Sequence, residues 1–191
     1  MLDRPVAPSL LPLPVLVELL QIAASTPKGN FAEFGVYKGG AAQYLAKVAR
    51  TRLLPWEIEN EPTERQGLLY LFDTFTGIPF KGLHDTHAVG DFSDTSYEAV
   101  HTLIPDAIIV QGVFPQSADG IKPEPLAFVH VDADQYDSTV AATKYFPPLM
   151  VQDGIIIFDD YGYLPGVTRA LHDWGEPFER TAFGRALWRK R

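Results

Sequence analysis

Apolar residues fall along this chain in short continuous runs, separated by stretches with helical spacing. Runs at 30–35, 68–73, 107–111, 126–131 and 154–158 are each bounded by polar or glycine residues, the pattern of strands buried on both faces of a parallel sheet. Residues 14–24 repeat apolar positions at helical spacing, with Pro14 suited to a first turn. Residues 41–50 are good helix formers, and 136–150 is long enough for one crossover helix. Asp94-Thr95-Ser96 reads as a capped helix entry continuing to Leu103, and 165–174 as a further helix. Residues 179–183 and 185–189 flank Gly184 as a terminal hairpin. Strands alternating with helices predict an α/β domain: a mostly parallel sheet with helices on both faces and an antiparallel hairpin at its C-terminal end. No repeat or second boundary interrupts 1–191, so one domain is expected, with 1–29 as an N-terminal helical or lid segment.

Two runs end alike. Val129-His130-Val131-Asp132-Ala133-Asp134 and Ile155-Ile156-Ile157-Phe158-Asp159-Asp160 each close on two acids. Joined by one crossover helix they are parallel, so both acid pairs emerge at the carboxyl edge, where open α/β sheets bind ligands. Converging carboxylates repel one another; either their pKa values rise or a cation neutralises them. A hard divalent ion held by carboxylate oxygens and water, most commonly Mg²⁺, satisfies that demand. A single acid at a strand end is usually a cap for the next helix. Two pairs on strands joined by one crossover favour the metal.

Composition narrows the partners. A net charge of −8 over 191 residues offers no basic field for nucleic acid or for a membrane surface. With no cysteine there is neither a disulfide framework nor a thiolate metal site. No apolar run reaches membrane-spanning length, and the N-terminus lacks the form of a signal peptide, so a soluble cytoplasmic protein is the expectation.

The first strand runs into Gly35-Val36-Tyr37-Lys38-Gly39-Gly40 and then a helix. Glycines let a backbone approach a ligand, and the helix start offers free N–H groups. Glu33 would repel a pyrophosphate but can accept from an ammonium group, which favours a ligand with a cationic amine over a nicotinamide dinucleotide. Asp73, ending the second strand, stands where nucleotide-binding sheets hold ribose hydroxyls; the alternative is an Asx turn in Asp73-Thr74-Phe75. Residues 112–117, ending in Ser117, follow the third strand at the same edge, placed to present a ring or a hydroxyl to an adenine. Residues 51–66 read as an exposed polar loop. Residues 78–91, with His84 and His87, form a loop long enough to be a lid or disordered.

These motifs resemble a known family. Phe31-Ala32-Glu33-Phe34-Gly35-Val36-Tyr37-Lys38-Gly39-Gly40 resembles the first motif of class I S-adenosylmethionine-dependent methyltransferases, which have a Rossmann-like sheet. Asp73-Thr74-Phe75-Thr76-Gly77-Ile78-Pro79, His130-Val131-Asp132-Ala133-Asp134-Gln135-Tyr136-Asp137 and Phe158-Asp159-Asp160-Tyr161-Gly162 are similar to blocks of the macrocin O-methyltransferase family, whose members methylate sugar hydroxyls of antibiotics. The resemblance implies that Glu33, Gly35 and Tyr37 hold the methionine end of S-adenosylmethionine and Asp73 its ribose. Gly39, Phe75, Ser117 and Asp132 complete the implied cofactor-binding set. Asp132, Asp159 and Asp160 would bind Mg²⁺, and Asp134, beside Asp132, would be the general base. Gln135 stands where catechol-type relatives carry a lysine, which also points to a carboxylate base. A small-molecule hydroxyl acceptor, a sugar or other vicinal diol of a natural product, follows. Family members use N-terminal helices to close the acceptor site and build dimers, which leaves a homodimer open here. Two other classes compete: a non-catalytic S-adenosylmethionine- or nucleotide-binding module, and a nicotinamide-dependent oxidoreductase. The latter needs a Gly-x-Gly-x-x-Gly turn, and the spacing of Gly35, Gly39 and Gly40 does not supply it.

Overall fold

The computed structural model describes residues 6–51, 67–123 and 125–191. The polar loop expected at 51–66 lies almost wholly outside these residues. In chain order come α1 (Leu13–Ser25), β1 (Asn30–Phe34), α2 (Ala42–Thr51), β2 (Leu69–Asp73), α3 (Tyr97–Leu103), β3 (Ile108–Gln111), β4 (Leu126–Val131), α4 (Tyr136–Tyr145), β5 (Met150–Phe158), α5 (Pro165–Trp174), β6 (Glu179–Arg180) and β7 (Ala186–Arg189). The strands form one sheet in the order β3-β2-β1-β4-β5-β7-β6. β1 to β5 are parallel; β7 runs antiparallel to β5, and β6 to β7. This is a Rossmann-like α/β fold.

Alternation within the strands divides the core in two. Phe31, Leu69, Leu71, Phe128, Ile155 and Ile157 face one layer, with Leu16 and Leu19 of α1, Leu45 of α2 and Val100 of α3. Ala32, Phe34, Phe72, Val129, Ile156 and Phe158 face the other, with Ala142 of α4 and Val167 and Leu171 of α5. Every residue of β4 is buried, as its unbroken apolar run requires. Ser96 caps α3, its hydroxyl accepting from the Ala99 N–H at 3.1 Å. α5 starts on Pro165 and ends at Gly175, which takes the left-handed conformation at φ 75°.

Two boundaries differ from expectation. The crossover helix stops at Tyr145 rather than running to Met150, and residues Pro147–Leu149 form a single 3₁₀ turn. Pro147 and Pro148 remove the N–H groups a continuing helix needs. β5 starts at Met150, four residues before the expected Gly154. Exposed Gln152 and Asp153 part Met150 and Val151 from the apolar run that follows, and the strand's pairing with β4 shifts register there. No helix among the described residues is long and apolar enough to cross a membrane.

Candidate active site

The carboxyl ends of β1, β2, β4 and β5 open into a cavity of about 630 Å³. α1 and the segment before it roof one side through Leu10, Leu11 and Val15; Ile78, Phe80 and Phe92 of the long loop roof another. Of the expected site residues, Gly35, Tyr37, Asp73, Asp132, Asp134, Asp159 and Asp160 line this one cavity.

Backbone packing fixes the β1 turn. A Cβ on Gly35 would lie 1.7 Å from the Asp132 carbonyl oxygen, so only glycine allows β1 and β4 to close here. The turn then leans on Asp73: Val36 and Tyr37 donate their N–H groups to Asp73 Oδ2 at 2.7 and 2.8 Å, and Phe75 donates to Oδ1 at 2.7 Å. The Asx turn therefore forms, and Asp73 also ties β2 to β1. A carboxylate has about four acceptor positions, so three such bonds leave it room for a ligand hydroxyl.

Four expected cofactor residues stand off the cavity wall. Gly39 packs beneath α3, where a Cβ would meet Leu103 at 3.0 Å. Phe75 is buried against Tyr97, with ring centroids 6.0 Å apart. The Ser117 hydroxyl is buried without a hydrogen-bond partner, and Val113 and Phe114 reach the cavity in its place. Glu33 is fully buried one residue below the rim, its Oε1 sharing a 2.9 Å hydrogen bond with His130 Nδ1. Strand alternation explains Glu33: it faces the same layer as Phe31, away from the ligand edge. An acid at a strand end was readable in the sequence, but its facing was not.

The four aspartates come together as two overlapping groups, each with ligand atoms within 4.8 Å of one another: His130, Asp132 and Asp159, and Asp132, Asp134 and Asp160. Asp132 belongs to both. Its carboxyl is pushed well above the usual range by burial and then by the charges of Asp159, Asp134 and Asp160. Burial first, and then the Asp160 charge and hydrogen bond, push Asp134 up to about 8. Burial and the Asp159 charge raise Asp160. Asp134 and Asp160 both adopt left-handed backbone conformations, at φ 60° and 58°, as does Tyr37 at 51°. Strain of this kind persists where the surroundings hold it. The donor set suits a divalent ion: all hard oxygens apart from His130, whose Nε2 is buried without a partner.

The long loop is folded over the site. Its two ends are tied together, Ile78 donating its N–H to the Asp91 carbonyl and accepting from the Gly90 N–H, and buried Asp85 accepts from the N–H of Tyr136 at 2.7 Å and of Gly82 at 2.8 Å, capping α4. Gln135 donates to the Phe80 carbonyl. His87 reaches the cavity wall, while His84 packs on the Tyr136 ring outside it. One wall residue had no signal in the sequence: Arg185, which immediately precedes the last strand and is nearly fully buried.

Comparison with known proteins gives a consistent picture. A family model described as Macrocin-O-methyltransferase (TylF) matches residues 15–180. The 8-demethyl-8-(2,3-dimethoxy-alpha-L-rhamnosyl)-tetracenomycin-C 4'-O-methyltransferase of Streptomyces olivaceus is 25% identical over 169 residues, 80% of this chain and 60% of that protein. The chain thus spans 60% of the length of that curated relative. The structure of the O-methyltransferase NovP superposes with a TM-score of 0.71 at 21% identity, over 92% of this chain and 78% of that one. CalS11, a calicheamicin methyltransferase, superposes with a TM-score of 0.69 at 20% identity, over 91% and 76%. At these identities the structural likeness shows a shared fold.

Proposed function

The chain belongs to the macrocin O-methyltransferase family, and from that premise we propose that it transfers the methyl group of S-adenosylmethionine to a hydroxyl of a small molecule, a sugar or other vicinal diol of a natural product. Membership speaks against the nicotinamide reading. The observation that carries the proposal is the meeting of Asp132, Asp134, Asp159 and Asp160 in the same cavity as Gly35, Tyr37 and Asp73.

The reading divides the cavity. On the β1–β2–β3 side, the Gly35 turn brings backbone to the cavity wall, Asp73 has acceptor capacity for ribose hydroxyls, and Val113 and Phe114 offer apolar surface to an adenine ring. On the β4–β5 side the acids face the acceptor. S-adenosylmethionine would supply a methyl group on a sulfonium, and the protein's task is alignment. Asp132, Asp159 and Asp160 would hold Mg²⁺, which supplies Lewis-acid polarisation of an acceptor oxygen. Asp134 would take the proton of the acceptor hydroxyl, so that the oxygen can receive the donor's methyl group with S-adenosylhomocysteine as the leaving product. Burial and the Asp160 charge raise the Asp134 carboxyl's affinity for a proton above that of an ordinary aspartate, and a cation held by its neighbours would free it of its own proton first. Ile78, Phe80, Tyr161 and Leu164 wall the site with apolar surface that limits water.

Calorimetry should show S-adenosylhomocysteine binding and no binding of a nicotinamide dinucleotide. With Mg²⁺ and labelled donor, at least one member of a panel of sugar vicinal diols should become methylated, and EDTA or Asp159→Ala should abolish the transfer. Full activity of Asp159→Ala in EDTA would remove the metal from the reading. Binding without transfer to any diol would leave the non-catalytic module.

A further inference from the structure

Arg185 lies immediately before β7, on the far side of the cavity from Asp73. Strands β1, β4 and β5 separate β7 from β2, so a ligand group reaching Arg185 belongs to the acceptor and not to the donor's ribose. The side chain is 4% exposed and lines the cavity. Its Nη2 donates to the Val15 carbonyl at 3.0 Å and to Glu18 Oε2 at 2.9 Å, which fixes the guanidinium plane against α1. Its Nε stands 3.7 Å from Asp159 Oδ1, beyond hydrogen-bond length.

A guanidinium has five N–H groups. Nη2 uses its two, while Nε and Nη1 are buried with no hydrogen-bond partner. Were Asp159 to move onto Nε, the two hydrogens of Nη1 would still lack acceptors. Buried donors left unpaired are costly, and a planar fork held rigid by its other bonds selects an oxygen-rich, planar or tetrahedral anion. Arg185 is also the only lysine or arginine among the described residues of the cavity wall. Next to it, the wall offers Phe183 and Tyr163, both largely exposed apolar rings at the mouth.

We propose that Arg185 makes the acceptor half of the cavity an oxyanion-reading subsite: the acceptor carries a carboxylate or a phosphate beside its diol, and the free edge of the guanidinium receives it. This deepens the methyltransferase reading and rests on it for the assignment of the acceptor half. The residue determines specificity by touching a non-reacting part of the substrate.

Three sugars with the same vicinal diols separate the cases: glucose, glucuronate and glucose 1-phosphate. Their dissociation constants are measured by ligand-observed NMR on the full chain in EDTA, so that no divalent ion contributes, with and without S-adenosylhomocysteine. Both anions, or the one whose source is correct, should bind about 10- to 100-fold tighter than glucose, the range of one charge-assisted bond. The chain's net charge of −8 disfavours anions generally, so such a preference reports a local site. Arg185→Lys keeps the ion pair to Glu18 but loses the fork, and should lose most of the preference. The double variant Glu18→Gln with Arg185→Met removes both buried charges together and should abolish it. Equal affinity for all three sugars, no binding of any, or a preference that survives in the folded variants overturns the proposal. Should neither variant fold, the wild-type comparison decides alone. Anion preference without S-adenosylhomocysteine binding would instead sink the methyltransferase reading and leave the subsite standing.

Discussion

Asp134 shows how one residue can be set against the stability of its own fold. Burial and Asp160 hold its proton, and its backbone sits in a conformation few non-glycine residues adopt. Asp134→Asn keeps the shape, removes the proposed base and relieves the repulsion. Transfer should fall by about 10²- to 10⁴-fold, the usual contribution of a general base, while S-adenosylhomocysteine affinity holds and the melting temperature of the metal-free protein rises. Loss of activity together with a lower melting temperature would mean that Asp134 is structural. Gly35 is the opposite case, since it does no chemistry. Gly35→Ala would drive a methyl group to 1.7 Å from the Asp132 carbonyl oxygen. It should cost more than about 4 kcal/mol in a urea melt, the exceptional range reserved for such clashes. The acid pairs and Gly35 were legible in the sequence because each is a residue type with few alternatives at a strand end. That Glu33 stands off the cavity wall was not legible, because its facing depends on strand parity at the rim, and Arg185 was unreadable because its partners, Val15, Glu18 and Asp159, lie far from it in sequence.

At the scale of elements, the parallel strands followed from their apolar runs, and the helices between them from helix-forming composition, a capping signal and crossover length; most ends agree within a few residues. The misses have local causes. Pro147 ends α4 early, and the outer half of β5 is strand only because β4 and the chain end hold it. Loop 78–91 was legible as long, and as a lid or disordered, but which of the two was not, because one buried acid supplies much of its order. Asp85 accepts two backbone N–H groups, one at the start of α4, and packs against Gly166 of α5. Asp85→Ala should cost about 1–2 kcal/mol, the loss of a cap with its buried donors. Because the loop roofs the cavity, the same change should raise the acceptor KM more than that of the donor, measured by steady-state kinetics on each. An equal rise in both would argue that the loop closes over the whole site rather than over the acceptor.

For the whole molecule, the raised carboxyls should make stability a function of pH, and the proposed Mg²⁺ would act on the same groups. Asp132, Asp134 and Asp160 all bind their protons more tightly in the folded chain than an ordinary aspartate does, as Glu33 does relative to an ordinary glutamate, burial leading in every case. A raised carboxyl contributes stability that is fully present below its unfolded value near 3.8 and is lost as pH rises through its folded value, about 8 for Asp134. Between those limits the native state holds more protons than the unfolded chain, so raising the pH favours unfolding. In EDTA the melting temperature should therefore fall from pH 5 to pH 8, by about 5 °C or more for a domain of this size. This is the reverse of acid denaturation driven by salt-bridged carboxylates, and the remaining acids, such as Asp94 and Asp173, held low by Lys38 and Arg169, act in that ordinary sense below about pH 4. Mg²⁺ that binds the cluster competes with those protons. It should do little at pH 5 and restore the melting temperature at pH 8, as a ligand that prefers the folded state must. Asp132→Asn should flatten both responses. A melting temperature that rises from pH 5 to pH 8 in EDTA, or a Mg²⁺ effect equal at both values, would show that Asp132, Asp134 and Asp160 do not act as one site.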